Sequence, residues 1–254
     1  MGGALARAAC QALGGEAVVV TNRTPAKAQA LSDETGCRIC GSNLEAAQAA
    51  EYMFLGVKPG QIKALLDQLR PALTPDKVVV SMAAGVTLEQ MEGWTPPGQP
   101  ILRVMPNTPC AIGMGMTALA GGSAAREEHY AAIERILSRS GRVERIEERL
   151  IDAFSAVAGC GPAFIYPYIE ALADGGVAAG LPRAKAMTYA AQMTLGAAAR
   201  VLESGEHPGA LKDAVCSPGG STIEGVAQLE RHGLRAAAID AVLAAWKKNA
   251  ALGK

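Results

Sequence analysis

Val78-Val79-Val80-Ser81-Met82, running straight into Ala83-Ala84-Gly85-Val86, is the stretch that decides the fold. A run this apolar and this β-branched, closed by a small-residue turn, reads as a strand covered on both faces. The same texture recurs to either side, at Tyr52–Val57 (YMFLGV) and at Ile101–Met105 (ILRVM). Farther out, Glu16–Thr21 (EAVVVT) and the short Cys37–Cys40 read as strands upstream, and Met116–Ala120 and Arg142–Ile146 as strands downstream. Helical patterns separate them, at Pro25–Thr35, Leu44–Ala50, Gln61–Leu69, Leu88–Glu92 and Arg126–Ser140. Strands alternating with helices in this way predict a doubly wound α/β domain.

From about Glu148 the strand signals stop. Ala163–Gly180, Arg183–Ser204, Ile223–Arg231 and Leu234–Asn249 read as helices, broken at Gly180-Leu181-Pro182, Gly205–Gly209 and His232-Gly233. The expected organisation is an α/β domain over residues 1–147 and an all-helical domain over 148–254. The helices are apolar nearly all round, and so short a bundle has little interior in which to bury them. Association with a second copy through this half is the natural inference.

Composition excludes several classes. The 254 residues can bury a core without staples. Formal net charge is zero and no basic block is interleaved with aromatics, so nothing points to nucleic acid. No apolar run in the sequence approaches the length of a membrane span, and no charged segment followed by an apolar one marks secretion. A cytoplasmic protein with no membrane partner is expected. Of the six cysteines, Cys37 and Cys40 form a C-x-x-C, but no second pair or histidine cluster accompanies them. Their simplest reading is a place in or beside a short buried strand, and no metal site is expected.

Ligands of open α/β sheets gather at the carboxyl ends of the strands, and the polar motifs of this chain sit there. Asn22-Arg23-Thr24 ends the first strand, where a dinucleotide fold contacts the adenine ribose. An arginine with hydroxyl and amide neighbours suits the 2′-phosphate of NADP; the same residues also suit a plain polar turn capping the helix at Pro25. Val57-Lys58-Pro59 ends the next long strand, although Lys58 alone is an ordinary loop lysine. Ala83, Ala84 and Gly85 leave room for a flat ring or a phosphate. Asn43 precedes a helix and is most simply its N-cap. Arg103–Pro109 (RVMPNTP) ends the last apolar strand in a loop stiffened by prolines on either side of Asn107-Thr108. His129, His207 and His232 are dispersed and read as surface or capping residues, and Glu147, Glu148 and Asp152 as a solvated charge run.

Ser217-Pro218-Gly219-Gly220-Ser221-Thr222 leads directly into the apolar helical pattern of Ile223, Val226, Ala227 and Leu229. A glycine turn opening a helix offers free backbone N–H groups to an anion, so this segment reads as a seat for a small carboxylate or phosphate.

Taken together, these motifs resemble pyrroline-5-carboxylate reductase, the last enzyme of proline biosynthesis. The resemblance rests on Asn22–Thr24, Val57–Pro59, Ser81–Val86 and Arg103–Pro109. It continues through Gly159-Cys160-Gly161-Pro162-Ala163-Phe164, Ala171–Gly176 with Gly180–Arg183, and Leu211–Thr222. It implies a Rossmann-type domain followed by a helical dimerisation domain, with dimers that assemble further, up to a decamer. It also implies NADPH-dependent reduction of 1-pyrroline-5-carboxylate, with NAD as an alternative cofactor. By the same resemblance Asn22, Arg23 and Thr24 hold the 2′-phosphate. Asn43, Val57, Lys58, Pro59, Ala83, Ala84 and Gly85 line the cofactor site, and Asn107, Thr108 and Pro109 flank the nicotinamide. Ser217, Gly219, Gly220, Ser221 and Thr222 receive the substrate, with Thr222 hydrogen-bonded to the ring nitrogen, and dimerisation completes the site. Cys160 stands where many relatives have serine, which keeps a small polar atom.

The family opens with a strand and a G-x-G-x-x-G turn. Here Met1-Gly2 matches only the last two positions of that turn, as a remnant of the pyrophosphate seat. The missing first strand belongs between Glu16–Thr21 and Tyr52–Val57, so its loss would unpair the backbone edges of both. A shortened reading frame is the expected cause. Two alternatives share parts of the pattern. A β-hydroxyacid dehydrogenase has the same architecture but needs a lysine in its first long helix, and Ala163–Gly180 contains none; Lys185 follows the break. The other is an inactive helical dimer without cofactor function.

Overall fold

The structure is a computed structural model that describes residues 1–252; the last two positions of the expected helical domain lie outside the described residues. At its centre β4 (Val78–Ser81) is buried along its whole length. It pairs in parallel with β3 (Tyr52–Leu55) on one side, Phe54 opposite Val80, and with β5 (Ile101–Pro106) on the other. β6 (Gly115–Gly121) runs antiparallel to β5, and β7 (Gly141–Arg145) parallel to β6, giving the order β3-β4-β5-β6-β7.

Successive β4 side chains point to opposite faces, and the core divides accordingly. Val78 and Val80 pack with Leu5 and Ala9 of α1 (Gly2–Leu13) and with Ile133 and Ile136 of α6 (Glu127–Ile136). Val79 packs on the other side with Ala47 of α3 (Asn43–Ala49), Ile62 and Leu66 of α4 (Ile62–Leu69) and Met91 of α5 (Leu88–Trp94). Helices thus cover both faces, as the apolar runs of the sequence require.

The strand expected at Glu16–Thr21 shrinks to β1 (Val19–Val20), because Gly15–Ala17 closes into a 3₁₀ turn. β1 pairs only with β2 (Arg38–Ile39), as a separate two-stranded parallel sheet, and β3 pairs only with β4. Val19, Val20, Tyr52 and Phe54 are half-buried, whereas Met53 and Leu55 of β3 and the whole of β4 are buried. α2 (Pro25–Thr35) lies between β1 and β2 and is held to α1 by the Arg7–Glu34 ion pair, at 2.7 Å.

The chain divides into two compact units, Met1–Cys160 together with the chain from Ala245 on, and Gly161–Ala244. The first unit therefore reaches past the boundary expected at 147/148. Ile151 in α7 (Ile151–Phe154) is fully buried in the α/β core, and Asn249 Nδ2 donates to the Asp152 carbonyl at 3.2 Å, which ties the returning tail to the same unit. A π turn at Ser155–Gly159 follows α7.

In the second unit α8 (Gly161–Ala178) and α9 (Arg183–Ser204) pack as a hairpin around Ala173, Ala186 and Ala190. An added Cβ at Gly176 would stand 3.3 Å from Ala186 Cβ, so this is a close-packed, small-residue contact. α10 (Pro208–Ala214), α11 (Ser221–Arg231) and α12 (Leu234–Leu252) complete the helices. The sequence reading treats Gly205–Gly209 as a plain break and misses α10, although Pro208 in the first turn with the His207 ring accepting from Gly209 N is a helix start. Tyr166, Tyr189, Met193 and Leu202 are all exposed. Three alanines make up the buried apolar cluster of this unit among the described residues, and the larger apolar side chains lie at its surface.

One expectation is corrected here. The helical run Glu148–Ala178 is long and apolar enough to cross a membrane by length and composition. The sequence hides it because Gly159, Gly161 and Pro162 read as breaks, whereas the backbone carries the helix through them by way of the π turn.

Gly141, at the start of β7, has φ +126°, and a Cβ there would stand 2.1 Å from the Gly115 carbonyl oxygen. Gly141→Ala is expected to lower the unfolding free energy by about 2–4 kcal/mol in urea titrations. Gly60→Ala, whose Cβ meets nothing within 4 Å, serves as the control and shifts it by under about 0.5 kcal/mol.

Candidate active site

The polar motifs fall where the sequence places them, in the turns after the parallel strands. After β1, Asn22 Oδ1 accepts from Thr24 N at 2.9 Å, an Asx turn that leads into Pro25 at the start of α2. Arg23, between them, is exposed and has no ion-pair partner among the described residues. The turn thus caps the helix and presents a free guanidinium at the same time. The two sequence readings of Asn22–Thr24 are compatible.

After β2 the sequence reading needs correction. The N-cap of α3 is Ser42, whose Oγ accepts from Glu45 N at 3.1 Å, and Asn43 is the first helical residue. Glu45 reaches back to Gly41 N at 2.7 Å. The short serine hydroxyl sits one residue earlier, where it can meet the third helical N–H, and the Ser-x-x-Glu spacing is the legible signal for it. Asn43 Nδ2 instead donates to Gln68 Oε1 at 3.1 Å, on the exposed surface.

Val57, Lys58 and Pro59 follow β3. Val57 is half-buried, Lys58 exposed, and Pro59 opens a 3₁₀ turn closed by Gln61 N donating to the Lys58 carbonyl at 2.9 Å. After β4, Ala83 N donates to Ser81 Oγ at 3.3 Å, which tightens the chain at once. Ala83 is buried, Ala84 exposed, and Gly85 takes φ +74°, a conformation that glycine adopts without strain. Thr87 and Gln90 then form a full capping box on α5. After β5, Thr108 is exposed and Pro109 half-buried, at the head of a 3₁₀ turn against which α1 packs. Asn107 differs from its neighbours in being buried. Met1 precedes α1 without a side-chain cap, and a Cβ on Gly2 would meet nothing within 4 Å.

In the helical unit the Ser217–Thr222 segment forms a tight turn, with Gly220 N donating to the Ser217 carbonyl at 3.0 Å and Gly219 at φ +67°. Gly220 is the N-cap of α11 and has no side chain to offer. A helix leaves its first N–H groups without an internal acceptor. At α11 those groups, together with the exposed Ser221 and Thr222 hydroxyls, are presented to solvent. A Cβ on Gly220 would stand 2.3 Å from Ser217 Oγ, so a larger residue there would displace that hydroxyl from its place in the turn. The chemistry on offer is that of an anion seat with hydroxyl donors beside it.

Several side chains fall elsewhere. Glu148 belongs to no solvated charge run: its Oε1 accepts from Arg103 Nη1 at 2.9 Å and from Leu88 N at 2.7 Å, anchoring β5 to the start of α5. Arg103 is 4% exposed and its Nε lacks a partner among the described residues. Nothing in the RVMPNTP run announces that burial. His129 is buried, its Nδ1 accepting from Arg126 N at 3.1 Å, and burial lowers its pKa below the usual imidazole value. It caps α6 as expected but is not on the surface. His207 caps α10, and His232 is exposed at the end of α11. Cys37 and Cys40 are both buried beside β2; burial, with Glu45 nearby, pushes the Cys40 thiol up, so it stays protonated and unreactive. Among the described residues no cluster of three His, Cys, Asp or Glu side chains could hold a metal.

Two family models match parts of the chain. One described as pyrroline-5-carboxylate reductase dimerisation matches residues 148–252, and one described as NADP oxidoreductase, coenzyme F420-dependent, matches residues 1–85. The pyrroline-5-carboxylate reductase of Escherichia coli K12 is 43% identical over 244 residues, spanning 96% of this chain and 90% of that protein. The structure of a pyrroline-5-carboxylate reductase from Coxiella burnetii superposes with a TM-score of 0.91 at 32% identity, covering 100% of this chain and 96% of that one. The Plasmodium falciparum pyrroline carboxylate reductase, solved with NADP bound, gives a TM-score of 0.88 at 29% identity, covering 100% and 95%.

Proposed function

The chain belongs to the pyrroline-5-carboxylate reductase family, and we propose that its strand-end turns and its Ser217–Thr222 turn carry that family's reaction, the reduction of 1-pyrroline-5-carboxylate to L-proline. The observation that carries the assignment of the substrate seat is the uncapped, exposed start of α11 behind the Gly219-Gly220 turn.

The residues present fit NADP. Arg23 offers a free guanidinium for a 2′-phosphate, with Asn22 and Thr24 shaping its turn. Lys58 supplies a second exposed cation, and Ala83, Ala84 and Gly85 keep the β4 turn small enough for a ring or phosphate to approach. The start of α1 at Met1-Gly2 adds backbone N–H groups for the pyrophosphate. The bound cofactor supplies the hydride.

The substrate is a cyclic imine and, once protonated, is already electrophilic at carbon, so the protein needs neither a strong acid nor a metal. Its task is positioning, which can supply roughly 7–11 kcal/mol of the barrier. The N–H groups at the start of α11 and the Ser217 and Ser221 hydroxyls hold the carboxylate, and the Thr222 hydroxyl oxygen accepts from the N–H of the protonated ring nitrogen. The carbon gains the hydride, the C=N bond becomes C–N, and solvent supplies the remaining proton.

The helical half belongs to a dimerisation family, and the apolar side chains left outside its own core suit a partner surface. We propose that such dimers assemble further into a decamer acting in the cytoplasm; sedimentation at micromolar concentration is expected to report ten chains, and a species no larger than a dimer would overturn the higher assembly. The central test is NADPH oxidation with 1-pyrroline-5-carboxylate, and absence of turnover by the assembled protein would sink the proposed reaction. Arg23→Ala is expected to raise KM for NADPH by about 10- to 100-fold, the size of a lost charge-assisted contact, with KM for NADH within about twofold of its starting value. Replacing Ser217 and Thr222 together by alanine is expected to lower kcat/KM for the imine by at least about 30-fold while NADPH affinity, read by fluorescence titration, stays unchanged.

A further inference from the structure

Asn107 is a buried strand-end residue of the cofactor half, and both ends of its carboxamide are spent internally. It is 8% exposed, in a turn whose next residue, Thr108, is exposed. Its Oδ1 accepts from Met116 N at 3.0 Å, with the Cys110 thiol at 3.9 Å as a weaker neighbour. Its Nδ2 donates to the Ala158 carbonyl at 3.0 Å. Acceptor and donor are both committed, and neither is presented to a ligand.

The acceptor of that last bond lies in an unusual place. Ala158 belongs to the π turn Ser155–Gly159, which is closed by Cys160 N donating to the Ser155 carbonyl at 2.8 Å. In a regular helix the Ala158 carbonyl would take the N–H of the residue four positions on. That residue is Pro162, which has none. The Asn107 carboxamide therefore stands in for a donor that the sequence of the helix itself removes. A π turn is a frequent mark of a functional segment, and this one is pinned from outside by a single side chain. Gly159 fits the same arrangement, since a Cβ there would stand 3.0 Å from Ser155 Oγ.

We infer that Asn107 is a positioning residue rather than a ligand contact. It locks the turn after β5 to the π turn, and so fixes the Thr108-Pro109 backbone at the end of the sheet where ligands bind. The consequence for rate rests on the reaction proposed above; the structural coupling does not. A turn held from behind keeps its geometry while it binds, so the loss of the lock is felt in the chemical step more than in cofactor affinity.

The test is a double-mutant cycle of Asn107→Ala and Pro162→Ala, read by melting temperature, by NADPH affinity and by steady-state kinetics. Asn107→Ala alone is expected to lower Tm by roughly 4–8 °C and kcat by about tenfold, with NADPH affinity within about twofold. In the Pro162→Ala background residue 162 regains an N–H for the Ala158 carbonyl, and the Tm loss on adding Asn107→Ala is expected to fall to half or less. Asn107→Asp keeps the acceptor for Met116 N and turns the donor into a carboxylate oxygen facing the Ala158 carbonyl; should the alanine variant not fold, it takes the same place in the cycle. Additive Tm losses would overturn the coupling, and a tenfold or larger loss of NADPH affinity with kcat unchanged would return Asn107 to the cofactor contacts. The melting-temperature cycle needs no turnover, so a wild-type protein inactive on the imine would sink the proposed reaction without touching this inference.

Discussion

Val78–Ser81 has no route to solvent on either face of the sheet, and this double burial shapes the rest of the α/β unit. A sheet covered on both sides by helices can meet a ligand only at its ends. The ladder β3-β4-β5 is parallel, so three turns leave the sheet at one end. Polar residues excluded from the faces collect in those turns. Lys58, Ala84 and Thr108 are exposed there within a few residues of side chains that are wholly buried. In β3 burial alternates, with Met53 and Leu55 buried and Tyr52 and Phe54 half-covered, and Val19 and Val20 of the separate β1-β2 sheet are half-covered as well.

The helical unit obeys the opposite rule. Its close contact uses alanines and a glycine, which bring α8 and α9 together but bury little apolar area. Leucine, methionine and tyrosine side chains are left outside. Covering those side chains with a partner would take their apolar surface out of water. Membership of a dimerisation family and the surface chemistry therefore agree. The same surplus of apolar surface makes Glu148–Ala178 long and apolar enough to span a membrane by composition, although a partner helix would satisfy it equally well.

Where the sequence reading succeeded, the signal was local and repeated. Pro25–Thr35 and Arg183–Ser204 have the bounds that periodicity predicts, because each begins at a proline or just after one and ends before a glycine in the left-handed region. Ser217–Thr222 was legible as a turn for the same reason. The failures are cases of competition or distance. Ser42 takes the cap expected of Asn43 because it reaches the right N–H one residue earlier. Glu148 looked like part of a solvated run, and only the fold brings Arg103 to it from the middle of the sheet. Asn107 and Ala158 lie far apart in the chain, so no window on the sequence could pair them.

By itself the sequence determined the class of the fold, the division into an α/β and a helical part, the family, and the positions of the turns that follow the strands. Each of these rests on spacing, glycine and proline chemistry, or hydrophobic period, all of which act over a few residues. Only the tertiary structure decided where the first unit ends, that the helix passes through Gly159–Pro162, that Arg103 is buried against Glu148, and that Asn107 faces inward. Those outcomes depend on which distant groups share a buried space, and a proline that removes a donor at one position is answered by an amide from another strand's end.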